Sequence, residues 1–408
     1  MKKLIGPFKQ IITMDHLPLK GPIKNDALEI IENGGVVVDN STIDSVSDFE
    51  LLHKEHSIPV EEISKDAILL PGLIDAHTHL CFAGSRSQDY SKKLDGKTYQ
   101  QILAEGGGIY STVNETRKAS YDELKYLTSR RIDRHFFSGI TTIEIKSGYG
   151  LSFVDEVKML NVITSLNQSS VADLIPTCLA AHVTPQEFDD PGIYLDFILA
   201  DILPYIKEKR LAARVDIFIE KNAFNPQEAI SFLKGAAEMG FSRTVHADQF
   251  TVGGSLVAAA TGAVSADHLE TSGTKEIRRL VENEVIATVL PGASLGLALP
   301  FAPARKILDE GACLVIASDW NPGSAPMGDL LVQSALLSNS EKLSFAETFA
   351  GLTYRAAKAL ELMDRGIIGH GKIADLIAFR TDDFREILYN QGMLKPDIIW
   401  KNGNMYSQ

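Results

Sequence analysis

A chain of 408 residues with 45% hydrophobic and 23% charged side chains is too long for one compact core of ordinary size and too apolar to stay disordered. Forty basic against 53 acidic side chains leave a formal charge of −13, which opposes counterion-release binding to nucleic acid and attraction to anionic lipid. A small-molecule substrate is favoured, and an anionic one would need a dedicated cation in its pocket because the global field does not steer it.

The chain opens on Met1-Lys2-Lys3-Leu4-Ile5-Gly6-Pro7, two lysines without an apolar core of signal-peptide length, and no later run approaches a membrane span. Cys81, Cys178 and Cys313 have no paired spacing, so a reducing, cytoplasmic setting is expected. Short β-like runs such as Gly35-Val36-Val37-Val38-Asp39 fill the segment from Ile11 to Ser47. From about Asp66 to Met363, short apolar or β-branched runs then alternate with segments of helical periodicity. The eight runs are Ile68 to His79, Ile140 to Lys146, Leu174 to His182, Val215 to Glu220, Thr244 to Gln249, Val264 to Leu269, Val285 to Leu290 and Cys313 to Asp319. Between them lie helices with their own punctuation, one from about Tyr121 to Ser138 stopping at Gly139, another capped by Asn225-Pro226 and ended by Gly240. The C-terminus returns to β-like runs, Ala374 to Phe379 and Ile398 to Gly403. This order predicts an α/β protein, a (β/α)₈ barrel of the TIM type over residues 66–364, with a small β-sandwich made from residues 1–65 and 365–408.

Five of the ten histidines, His77, His79, His182, His246 and His268, fall at the C-terminal ends of predicted parallel strands, where barrels of this kind build their active sites. His16, His53, His56, His135 and His370 lie elsewhere. His77 and His79 are two apart on a strand, so both project from one face and can reach one ion. Lys146 ends the second strand and reads either as a structural group or as one standing behind the ligands; Cys81 reads as a small buried residue.

Pro71-Gly72-Leu73-Ile74-Asp75-Ala76-His77-Thr78-His79, followed in order by His246, His268 and Asp319 at later strand ends, resembles the metal-binding pattern of the amidohydrolase superfamily. The resemblance implies His77, His79, His246 and Asp319 as ligands of a single Zn²⁺ or Fe ion, three imidazoles and a carboxylate with a position left for water. Binuclear relatives use a carboxylated lysine on the fourth strand; here that strand ends in Glu220-Lys221, so one metal is expected.

Further segments resemble the imidazolonepropionase family over nearly the whole chain. They are Cys81 to Arg86, Glu105 to Ile109, Glu144 to Leu151, His246 to Phe250 and Asp319 to Ser324. The resemblance implies hydrolysis of the lactam of 4-imidazolone-5-propanoate to N-formimidoyl-L-glutamate by a metal-activated water. It implies Arg86 on the propionate, and Tyr149, His182, Gln249, Asn321, Gly323 and Ser324 as the rest of the substrate pocket. Asp319 would relay a proton to the leaving nitrogen and His268 would polarise the carbonyl. Members of such families are often homodimers, though no stretch here marks an interface.

Two other readings compete. A cyclic-amidine deaminase of the same superfamily typically carries a proton-shuttling Glu three residues after the fifth-strand histidine, where this chain has Gln249, and an amide cannot transfer protons as a carboxylate does. A noncatalytic scaffold on the same fold has no need of four competent ligand positions.

Overall fold

The computed structural model describes residues 2–63, 66–98, 101–102 and 105–407. Eight parallel strands follow one another around a barrel: β6 Leu73–Asp75, β7 Ile140–Lys146, β8 Asp173–Ala181, β9 Arg214–Phe218, β10 Ser242–Ala247, β11 Ser265–His268, β12 Ile286–Val289 and β13 Leu314–Ile316. The first and eighth meet beyond their ladders through a parallel bridge between Thr78 and Trp320, with the Asp319 amide donating to the His77 carbonyl and the His79 amide to the Trp320 carbonyl, both at 3.0 Å. This bridge brings the Pro71–His79 segment beside Asp319. Covered by helices outside and side chains inside, the strands are β-branched and apolar, and Ile143, Ile145, Val245 and Val289 are fully buried. Each such side chain contributes about 1.5–3 kcal/mol through burial.

The helices follow their sequence punctuation. Tyr121–Phe136 is capped by Ser120 Oγ, and Gly139 after it takes φ +94. Pro226–Glu238 begins with a reciprocal Asn225–Glu228 capping box, which satisfies donors that an uncapped first turn would leave bare.

Both chain ends join one mixed sheet: β1 Lys2–Ile12, β2 Ile30–Asp39, β3 Thr42–Asp48, β4 Val60–Glu62, β5 Ala67–Pro71, β14 Leu376–Arg380, β15 Ile398–Lys401 and β16 Asn404–Ser407. Its two extremes meet, because Gly403 between β15 and β16 packs on Val38 and Asn40 at the β2–β3 turn. The sheet thereby curls around its own core of Ile5, Phe8, Val36, Val38, Leu376 and Trp400, with the Phe8 and Trp400 rings edge to face at 6.0 Å. Where it rests on the barrel, Lys401 Nζ donates to Asp173 and Asp375, each at 2.7 Å, and the Arg365 guanidinium pairs with Asp173.

One expectation is corrected. The run Ile68 to His79 is not a single barrel strand: β5 pairs with β14 and β1 in the terminal sheet, and only β6 enters the barrel. Gly72 is the pivot, its amide donating to the Asp375 carbonyl at 2.8 Å, and a Cβ there would stand 2.3 Å from Thr141 Oγ1. Among the described residues no helix is long and apolar enough to cross a membrane.

Candidate active site

The ligand geometry grows out of the strand ends. His77 and His79 flank the bridge residue Thr78, so both imidazoles turn to the barrel axis. His246 arrives on β10, and Asp319 follows β13 at φ +52, a left-handed position that turns its carboxylate back over the mouth. The Nε2 atoms of His77 and His246 lie 3.1 Å apart, and those of His246 and His79 3.3 Å. Asp319 Oδ1 stands 3.3 Å from His79 Nε2 and 3.6 Å from His77 Nε2. Among the described residues, His77, His79 and His246 are the one group of three whose ligand atoms converge closely enough to share an ion.

A tetrahedral centre with metal–nitrogen bonds of about 2.0–2.1 Å has ligand–ligand edges of about 3.3–3.4 Å. The separations above fit that value. The tautomer of His77 fits as well: its Nδ1 donates to Asp267 Oδ2 at 2.6 Å, which leaves Nε2 a lone pair facing His246 Nε2. Burial pushes the imidazoles of His77 and His246 below their ordinary range and that of His79 down to about 3, so all three are neutral at pH 7 and able to ligate.

Around this group the remaining residues take distinct places. Tyr149 is buried with its ring 5.9 Å from His79 and 5.5 Å from His182. His182 lies nearly parallel to His79 at 5.4 Å, and its Nδ1 donates to the Gly148 carbonyl at 3.0 Å, so Nε2 is the free acceptor. His268 sits on the other side, 5.3 Å from His246 and 5.9 Å from His77 by ring centroid. Burial acts to depress its pKa, but the carboxylates of Glu270 and Asp319 outweigh that and hold it above the ordinary value. Gln249 is buried just past the end of β10.

Arg86 lies against the loop that follows Asp319. Its Nε is 2.9 Å from Asp89, Nη1 donates to Thr112 Oγ1 at 3.3 Å, and a Cβ on Gly323 would come within 3.1 Å of Nη2. Asn321 and Ser324 are built into the same loop. Asn321 Oδ1 accepts from the amides of Gly323 and Ser324 at 2.7 and 2.8 Å, while its Nδ2 donates to Asp319 Oδ2 at 2.9 Å. One short loop therefore holds the outer oxygen of Asp319 and abuts the guanidinium. Cys81 is buried outside the converging ligand group, its Sγ on the Met159 carbonyl at 3.8 Å and its thiol pushed up to about 12 by burial.

Sequence reasoning missed the acids beneath the histidines. Asp267 orients His77, and Asp216 Oδ2 stands 2.8 Å from His246 Nδ1 at an angle too oblique for a hydrogen bond. Glu270 Oε1 lies 3.5 Å from His268 Nδ1 and accepts from Ser294 Oγ at 3.2 Å. The signal was available: an acid inside a strand covered on both faces must have a buried partner.

Comparison with known proteins follows the same lines. The Amidohydrolase family model matches residues 223–405. The chain is 37% identical to the imidazolonepropionase of a Geobacillus species, over 94% of this chain and 92% of that protein. It is 38% identical to that of Bacillus cytotoxicus, over 98% and 96%, and 40% identical to that of Deinococcus deserti, over 82% and 83%. In fold it is similar to the guanine deaminase from C. acetobutylicum, TM-score 0.74 at 17% identity over 99% of this chain and all of that one. It is also similar to atrazine chlorohydrolase from Arthrobacter aurescens complexed with zinc, TM-score 0.70 at 17% identity over 100% and 95%.

Proposed function

The chain belongs to the imidazolonepropionases of the amidohydrolase superfamily, and we propose that it hydrolyses the lactam C–N bond of 4-imidazolone-5-propanoate to N-formimidoyl-L-glutamate with one Zn²⁺ or Fe ion held by His77, His79, His246 and Asp319. The observation that supports this most is the convergence of three neutral imidazoles and a carboxylate on one point, with Arg86 on the loop wall beside it.

An ion in that group would acidify a water and polarise the lactam carbonyl. Arg86 binds the propionate, its guanidinium presenting a planar fork to a carboxylate. Tyr149 and the Nε2 of His182 bound the ring on the His79 side. Asp319, its Oδ1 beside His77 and His79, stands where it can accept a proton from the attacking water and return it to the departing ring nitrogen. Asn321 keeps Asp319 Oδ2 turned away from the histidines, which fixes the oxygen that faces them. His268, held protonatable by Glu270, donates toward the oxygen on which negative charge develops. Gln249 can position the ring by hydrogen bonding but cannot carry a proton, which disfavours deamination by the route of the fold's deaminases.

The direct test is turnover: purified protein should bleach the imidazolone absorbance and yield N-formimidoyl-L-glutamate without releasing ammonia. Faster ammonia release from guanine, adenine or cytosine derivatives would overturn the assignment.

A further inference from the structure

Lys146, at the end of β7, is the most deeply buried lysine of the barrel, and its ammonium is surrounded by acids. Nζ lies 2.7 Å from Glu144 Oε1, 2.9 Å from Asp216 Oδ2 and 4.0 Å from Asp267 Oδ2. Each acid leads to a different part of the histidine group. Asp267 accepts from His77 Nδ1 at 2.6 Å, Asp216 accepts from the His246 amide at 3.2 Å and lies beside its ring, and Glu144 Oε2 accepts from the amide of Thr78, between His77 and His79, at 3.2 Å. The Lys146 backbone joins the same system, its amide donating to the Thr78 carbonyl at 2.9 Å.

From this arrangement we infer that Lys146 is a positioning residue for the metal centre: one ammonium fixes the three acids that set the aim of His77, His79 and His246. It also occupies, as a permanent internal cation, the space among Glu144, Asp216 and Asp267 where those carboxylates would otherwise attract a second ion. The inference rests on the metal reading above and extends it to a residue that touches neither metal nor substrate. Its physical basis is the cost of buried charge, since three carboxylates sealed from water repel one another unless a counter-charge sits between them. The Lys146 ammonium reaches all three acids, while His246 Nδ1 shares Asp216 Oδ2 and His77 Nδ1 shares Asp267 Oδ2 with it.

The test uses the full-length protein, stripped of metal and titrated with Zn²⁺ against a fluorescent chelator, with thermal unfolding of the metal-free and Zn²⁺-loaded forms. In Lys146→Met, Zn²⁺ affinity should fall by about 10–100-fold, the range for losing the groups that orient ligands. The gap between the two melting temperatures should shrink with it, because a bound ion stabilises according to its affinity. A second variant, Lys146→Gln with Glu144→Gln, removes one charge of each sign and should show the same loss with less risk to folding. Lys146→Arg, which keeps the charge, should recover part of the affinity. A folded variant with Zn²⁺ affinity within about twofold of the parent would overturn the inference, as would melting temperatures that drop equally with and without Zn²⁺. Failure of both charge-removing variants to fold would show that the ammonium supports the barrel itself and would overturn the narrower role. A parent protein that binds no Zn²⁺ would instead overturn the metal reading, so the two failures are distinguishable.

Discussion

Two regions bury charge, and they close it differently. At the junction of barrel and terminal sheet, Lys401 pairs with Asp173 and Asp375, and Arg365 pairs with Asp173 and the more exposed Asp364, so each carboxylate has a cation of its own chain beside it. At the barrel mouth, Lys146 alone faces Glu144, Asp216 and Asp267, with Asp319 a fourth acid beside neutral histidines. Buried ions are tolerated when paired. The junction is paired from within the chain and reads as structure; at the mouth one ammonium faces three acids and a fourth stands among neutral histidines, which reads as a receptor for a cation.

Breaking the mouth should have the largest effect. His246→Ala removes one corner of the ligand group, so metal retention should fail and kcat/KM should drop more than about a thousandfold, since several kcal/mol of charge stabilisation leaves with the ion. Parallel metal and rate assays check this, and normal metal content in the variant would contradict the ligand assignment.

Arg86→Ala comes next. Losing a charged hydrogen bond costs about 1.5–3 kcal/mol, a ten- to hundredfold fall in kcat/KM, with metal content unchanged. Arg86→Lys should rescue only partly, because charge returns without the fork. A substrate analogue with the propionate amidated should be poor for the parent and lose little more on Arg86→Ala; equal losses on both substrates would assign Arg86 to the architecture.

Glu270→Gln sharpens the comparison, for it removes an acid from the mouth without touching a ligand. His268 then loses the carboxylate that keeps it protonatable, and kcat should fall about tenfold with KM and metal content little altered. Unchanged kcat would separate Glu270 from the reaction.

The smallest effect on activity belongs to the junction. Lys401→Met strands the buried Asp375 and should lower unfolding free energy by about 3–5 kcal/mol in denaturant titration. Its kcat/KM should stay within about twofold of the parent, the additivity expected of distant sites. Loss of metal here would mean that the two regions are coupled.

How far the sequence revealed this molecule depends on where each group stands in its strand. His77, His79, His246, His268 and Asp319 were legible because they end runs whose direction the alternation of strands and helices had set. The eight-strand barrel was legible in the same alternation, and the union of the two chain ends in the β-like runs that flank it on both sides. The division at Gly72 was not, since Ile68-Leu69-Leu70-Pro71-Gly72-Leu73-Ile74 is a nearly unbroken apolar run and only the pairing of β5 with β14 tells the halves apart. Asp216 and Asp267 were passed over inside Arg-Val-Asp-Ile-Phe and Ser-Ala-Asp-His, although an acid in the middle of a covered strand predicts a buried partner. Asn321 and Ser324 were read as pocket residues, while the structure engages both in shaping the loop and holding Asp319.

The central claim is that the mouth's charge deficit is filled by one ion bound to His77, His79, His246 and Asp319. Elemental analysis of the purified protein, with the rate of imidazolone hydrolysis followed as metal is removed and restored, tests it most directly. The account predicts about one equivalent of zinc or iron per chain, with activity rising and falling in proportion to it. Two equivalents, or full activity in protein free of metal, would contradict it.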